Sequence, residues 1–144
     1  MLDYAKHFLD IVLVDSTYKR NRFNLTIVNI IGISNYGKNL MLGFGLLSNE
    51  KKESYNWLFS NLKKAWRQKP LNFVTDECES IIYGIKQNFN SRNILCGWHI
   101  QKKIFSKLKG LKKKNEVLYL KAIPLPFITQ KSKFEDTLQE LYTC

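Results

Sequence analysis

The stretch Ile11-Val12-Leu13-Val14-Asp15 decides the fold. Four consecutive apolar residues, three of them β-branched, end at a carboxylate. Such a short run fits a central strand buried on both faces. The next apolar segment runs from Phe23 to Ile31. It alternates at first through Phe23, Leu25 and Ile27 and then turns apolar throughout, which predicts a second strand. Ser34-Asn35-Tyr36-Gly37-Lys38 is a turn signal, and Leu40 to Leu47 reads as a third strand. Gly43 and Gly45 inside it predict a bulge or a close backbone approach. Together these segments describe an antiparallel meander.

Beyond Leu47 the hydrophobic period changes to that of a helix. Ser48 or Asn49 is expected as its cap, with Glu50 and Glu53 at the positive N-terminal end. Leu58, Leu62, Ala65 and Trp66 share one face, and Pro70 ends the segment. Leu71 to Thr75 predicts a fourth strand ending at Asp76. Ile81, Ile82, Ile85 and Phe89 then recur at helical spacing, with Gly84 as a weakness. Arg92 to Cys96 is a fifth strand. From Trp98 a lysine-rich helix carries Ile100, Ile104, Leu108 and Leu111 on its apolar side. Pro124 and Pro126 interrupt the pattern, and Lys133 to Tyr142 predicts a last helix. Trp57, Trp66 and Trp98 fall on apolar helix positions and are expected to pack rather than stack on bases.

Three antiparallel strands followed by helix, strand, helix, strand and helix imply parallel crossovers. The expected fold is therefore α/β, with a mixed five-stranded sheet and helices over its faces. No glycine-rich phosphate loop follows the first strand, which disfavours a doubly wound nucleotide-binding fold. The order matches the ribonuclease-H-like architecture. The expected division is a core over residues 8–103 and a lysine-rich helical extension over 104–144.

Composition sets outer bounds. The 144 residues include 23 Lys and Arg against 12 Asp and Glu, a net charge of +11, and 44% are hydrophobic, enough for one packed core. No apolar run approaches the ~20 residues that span a bilayer, and no secretory signal pattern opens the chain. Three scattered cysteines argue for a reducing compartment. Residues 101–133 hold ten lysines and one acid, which suits delocalised attraction to phosphates, although a solvated helix face reads the same way.

Asp15 and Asp76 each follow an apolar strand directly. In the expected topology the first and fourth strands are neighbours, so these carboxylates can converge. Convergent hard oxygen ligands are what a magnesium site needs. Taken singly, Asp15 also suits a turn and Asp76 a helix cap.

These residues resemble the transposase domain of Mutator-like elements, the MULE transposase domain. The resemblance rests on Asp15-Ser16-Thr17-Tyr18 with Asn21, then Asn49-Glu50 and Glu53-Ser54-Tyr55-Asn56-Trp57. It continues in Thr75-Asp76 and in Phe89 followed by Leu95-Cys96-Gly97-Trp98-His99-Ile100, and covers roughly residues 11–103. Asn90 stands where the family usually has proline. The resemblance implies a nuclear transposase of the acidic-triad type that cuts DNA with Mg2+ or Mn2+ and joins 3′ ends. Asp15 and Asp76 would be its first two catalytic and metal-binding carboxylates, with Cys96 and His99 as active-site neighbours. Cys96 and His99 equally suit a plain strand-to-helix junction.

In the family the third acid lies well beyond the Cys-x-x-His segment, and this chain reaches Cys144 without it. The corresponding integrase position falls on Lys112, nearest to Glu116, while Glu135 and Glu140 are expected to face water. The leading expectation is therefore a truncated catalytic domain, inactive alone. The alternative is a domesticated, non-catalytic DNA-binding or transcription-regulatory protein. Cys-x-x-His lacks a second ligand pair, so no zinc site is expected. DNA is the expected partner, its backbone met by Lys102, Lys103, Lys107, Lys109, Lys112, Lys113 and Lys114. A second copy of the chain is a further candidate partner.

Overall fold

A computed structural model of the chain describes residues 7–17, 21–108 and 115–142. The chain divides into two compact units, Met1–Leu95 and Cys96–Cys144.

The first unit is built on five strands: β1 (Ile11–Thr17), β2 (Thr26–Ile33), β3 (Asn39–Leu47), β4 (Asn72–Thr75) and β5 (Arg92–Leu95). Their order across the sheet is β3-β2-β1-β4-β5. β1, β2 and β3 pair antiparallel, whereas β4 runs parallel to both β1 and β5. This is the expected α/β mixed sheet, and its order and directions fit the ribonuclease-H-like arrangement. Two helices complete the unit, α1 (Lys52–Trp66) and α2 (Glu79–Asn88).

One face of the sheet carries Val12, Val14, Val28, Ile30, Leu42 and Phe73, all at most 2% exposed. Against them α1 places Tyr55, Leu58, Phe59 and Trp66, and α2 places Ile81 and Ile85. Phe59, Phe73 and Phe89 meet at ring separations of 5.3 to 6.3 Å. At roughly 1.5–3 kcal/mol for each fully buried large apolar side chain, this cluster dominates the unit's stability. Gly84, which weakens the helix by propensity, sits where α1 and α2 touch. A Cβ there would lie 2.7 Å from Phe59 Cδ2 and 3.1 Å from the Tyr55 carbonyl carbon. Close helix packing outweighs helix propensity at that position.

Several local expectations change. Phe23 is 65% exposed and precedes β2. The Asn21 side chain folds residues 21–25 into a turn, with Nδ2 donating to the Leu25 carbonyl and Oδ1 accepting from the Phe23 N–H. Helix α1 is capped at Lys51 without a side-chain bond. Asn49 instead works one step upstream, its Oδ1 accepting from the Lys51 N–H and the Ser54 hydroxyl. Ala65 is exposed, while Tyr55 and Phe59, absent from the expected helix face, are fully buried. The helix ends because Arg67 adopts a left-handed conformation, three residues before Pro70. Trp66 packs as expected, but Trp57 and Trp98 are 61% and 55% exposed. Helices were expected over both faces of the sheet; within the first unit α1 and α2 share one face.

The second unit contains α3 (Gly97–Lys107), α4 (Glu116–Ala122), a 3-10 turn (Leu125–Phe127) and α5 (Lys131–Tyr142). Sequence periodicity missed α4, which Asn115 caps by accepting from the Leu118 N–H. Phe105 and Tyr119 stack at 5.7 Å, and Gln101 Nε2 donates to the Ile123 carbonyl. Of the apolar side of α3, Ile100, Ile104 and Leu108 are half-buried, and Leu111 lies outside the described residues. Ala122 is the unit's buried hydrophobic among the described residues.

Candidate functional site

The β1–β4 ladder pairs Ile11 with Asn72 and continues to Val14 with Thr75. The next residue on each side is Asp15 and Asp76. Neighbouring strands lie about 4.8 Å apart, so the register brings the backbones of Asp15 and Asp76 alongside each other. β1 does not stop at Asp15. It runs to Thr17 because β2 still pairs it there, through Asp15 with Asn29, Ser16 with Val28 and Thr17 with Ile27. Asp15 therefore ends one ladder while lying inside another, which holds its backbone more firmly than a loop would.

Both carboxylates are half-buried. Asp76 Oδ1 accepts the Cys78 N–H at 3.0 Å, a turn that starts α2. Asp76 is thus not the helix cap, a position taken by Cys78 without a side-chain bond; its carboxylate builds the turn before α2 through one oxygen. The buried Thr75 hydroxyl donates to the Asp76 carbonyl at 2.7 Å and accepts from Asn93 Nδ2 at 3.1 Å. This ties the end of β4 to β5.

Sequence reasoning missed Tyr55 and Asn29. Asn29 is the polar residue directly across from Asp15 in an otherwise apolar strand, and that break in pattern was its signal. Tyr55 is fully buried on the helix-covered face, where Ser16 also points by strand alternation. Burial, chiefly, pushes its phenol up to about 12. The nearby Ser16 hydroxyl counters this, although the buried Tyr55 hydroxyl makes no hydrogen bond among the described residues, and the nearby Cys78, Glu50 and Asp76 add to the rise. A neutral phenol thus lies beneath the ends of β1 and β4.

The remaining expected residues belong to the second unit. Cys96 is half-buried at the start of α3, its carbonyl accepting the Ile100 N–H at 3.1 Å. His99 lies edge-on to Trp98 at 4.8 Å, and Lys102 Nζ stands 4.9 Å from the Trp98 ring centre. Lys102, Lys103 and Lys107 are exposed on α3. Lys109, Lys112, Lys113 and Lys114 lie outside the described residues. Glu116 is exposed at the start of α4. Glu140 pairs with Lys121 at 2.6 Å, and Glu135 with Lys131 at 3.7 Å. Among the described residues, no group of three or more His, Cys, Asp or Glu side chains gathers to hold a metal ion, and no helix is long and apolar enough to cross a membrane.

An α/β sheet of this order, with Asp15 in the second half of β1 and Asp76 just past β4, fits the ribonuclease-H-like arrangement. Residues 11–103 match the MULE transposase domain, and the chain belongs to that family. Protein FAR1-RELATED SEQUENCE 6 of Arabidopsis thaliana is 33% identical over 108 residues, which cover 74% of this chain. Protein FAR1-RELATED SEQUENCE 5 of the same plant is 34% identical over 110 residues, 75% of the chain. Protein FAR-RED IMPAIRED RESPONSE 1 is 26% identical over 121 residues, 83% of the chain. The matched segments span only 14–15% of these relatives' own length.

Proposed function

We propose that this chain contributes two carboxylates of a Mutator-type transposase core that acts on DNA with a divalent cation. The observation that carries the reading is the pairing of Asp15 and Asp76, one residue past the last β1–β4 register pair. The donor set fits magnesium or manganese: two hard carboxylates on adjacent strands, one already oriented by a backbone N–H. Asp15 and Asp76 would hold the ion. When bound, such ions activate a water or 3′-hydroxyl and stabilise the leaving oxygen. The protein's part is to set the two acids on adjacent strands through the sheet register and to tie the end of β4 to β5 through Thr75 and Asn93.

Among the described residues no third carboxylate joins these two, so strand cleavage by this chain alone is expected to be absent. Manganese titration of the purified chain tests the reading. Binding should weaken at least about tenfold in Asp15→Asn and in Asp76→Asn, as expected when a charged ligand is removed. Binding equal in wild type and both variants would refute the site. Robust cleavage of terminal-repeat DNA that is lost in Asp15→Ala would show that another acid of this chain completes the triad.

A second reading is favoured by the relatives, one of which is named for an impaired far-red response rather than for mobile DNA. In this reading the chain is a domesticated, non-catalytic nuclear regulator that binds DNA through its net charge of +11. Asp15 and Asp76 would then be dispensable and the lysines of α3 would not.

A further inference from the structure

The two edges of the sheet are unlike. β5, at one edge, has four residues and carries Arg92. β3, at the other, has nine residues, Asn39–Leu47, with neither charge nor proline. Short length and charge are the usual protections of an exposed edge, and β3 has neither. Its inner side pairs with β2, and among the described residues its outer side pairs with nothing. A register shift between Ile30 and Ile31 leaves Leu42 as the extra residue. The regular part of the edge is therefore Gly43–Leu47.

The side chains there are also unusual. Phe44 and Leu46 are 58% and 52% exposed on the face away from α1. On the helix side Gly45 is flush with Leu58, 2.7 Å from a Cβ if one were present, so nothing projects from that point of the strand. Beside the end of β3 lies a hollow of about 310 Å3 lined by Leu46, Leu47, Ser48, Glu53, Ser54 and the exposed Trp57.

We propose that the β3 edge pairs with β3 of a second copy, joining two sheets into one across a two-fold axis. Strand addition at an open edge takes an extended, uncharged, apolar segment, and Gly43–Leu47 is itself such a segment. A two-fold axis makes the pairing antiparallel without further adjustment. Centred on Gly45, it sets Phe44 of each copy opposite Leu46 of the other, a favourable cross-strand pair. Each chain carries a charge of +11, yet this edge brings no like charges together. Five paired residues bury less than the about 800 Å2 per partner of a tight complex, so the association is weak, with a dissociation constant on the order of 10 μM. The pairing is independent of whether Asp15 and Asp76 bind metal.

Sedimentation velocity on the whole chain tests this, from about 1 to 200 μM at roughly 0.3 M salt to screen the net charge. Wild type should shift from monomer to dimer. Phe44→Lys and Leu46→Lys, both at exposed positions, should each raise the dissociation constant at least about tenfold. Phe127→Lys, an exposed position of the second unit, should leave it unchanged. Hydrogen exchange on wild type should show added protection of amides 43–47 as concentration rises, even if a lysine variant folds poorly. A wild-type monomer throughout the range would overturn the proposal. So would a dimer without that protection, or one that folded Phe44→Lys and Leu46→Lys leave intact.

Discussion

Asp15 and Asp76 stand next to each other because Val14 pairs with Thr75, the last rung of the parallel β1–β4 ladder. They come from positions 61 residues apart in the chain. In the proposed site the two carboxylates would share one divalent cation. Manganese at about 100 times its dissociation constant should therefore stabilise the chain against urea by roughly 2.7 kcal/mol. Asp15→Asn should cut that gain to about half or less. Asp76→Asn should do the same, with little loss of metal-free stability, since the Asn oxygen still accepts the Cys78 N–H. Equal stabilisation of wild type and both variants would count against a shared site.

Tyr55 should make stability fall at high pH. Its folded phenol is pushed up to about 12, above the ordinary tyrosine value of 10.0. Below pH 10 both states hold the proton and the contribution is fully present. Between about 10 and 12 the unfolded chain releases it while the folded chain does not, so rising pH favours unfolding. Two pH units correspond to roughly 2–3 kcal/mol. Urea midpoints measured across this window should drop further in wild type than in Tyr55→Phe. Parallel curves would show that Tyr55 does not carry the effect.

Gly84→Ala should destabilise, although alanine is the better helix former. The added methyl meets Phe59 Cδ2 and the backbone of Tyr55, which cannot withdraw as a flexible side chain could. Overpacking of about 1–3 kcal/mol outweighs a propensity gain of up to about 1 kcal/mol. Chemical denaturation that found the variant more stable would mean that α1 and α2 separate easily.

Phe59→Ala should cost roughly 3–5 kcal/mol, because the ring is fully buried and meets Phe73 and Phe89 edge-on. Trp57→Ala, two residues away and 61% exposed, should change stability by no more than about 0.5 kcal/mol. Thermal melts of the two variants separate a core position from a surface one on the same helix.

If DNA is bound through phosphates, replacing Lys102, Lys103 and Lys107 with glutamine should reduce the salt dependence. Each lost contact removes about 0.9 from the slope of log affinity against log salt, so the triple variant should lose roughly 2–3. A slope unchanged in fluorescence-anisotropy titrations would remove α3 from the interface.

Much of the core was legible before the fold was seen. Ile11–Val14, Leu40–Leu47 and Leu71–Thr75 each announced a strand by apolar content, and Ile81, Ile85 and Phe89 announced the buried side of α2. The MULE motifs then assembled into the expected order. What failed was local. Asn49 was expected to cap α1 and instead built the turn before it, since a short polar side chain can serve several adjacent N–H groups and sequence does not choose among them.

The sequence by itself determined which segments extend, which coil and which two aspartates follow apolar runs, because side-chain period and turn chemistry act over a few residues. The tertiary structure alone decided their relations. It set Asn29 across from Asp15 and carried β1 past Asp15 to Thr17. It put Tyr55 beneath the site and gave Gly84 a packing role. It also left Phe44, Leu46 and Trp57 exposed where apolarity predicted burial. Register, face and edge depend on which strand lies beside which, and that is fixed by packing between residues far apart in the chain.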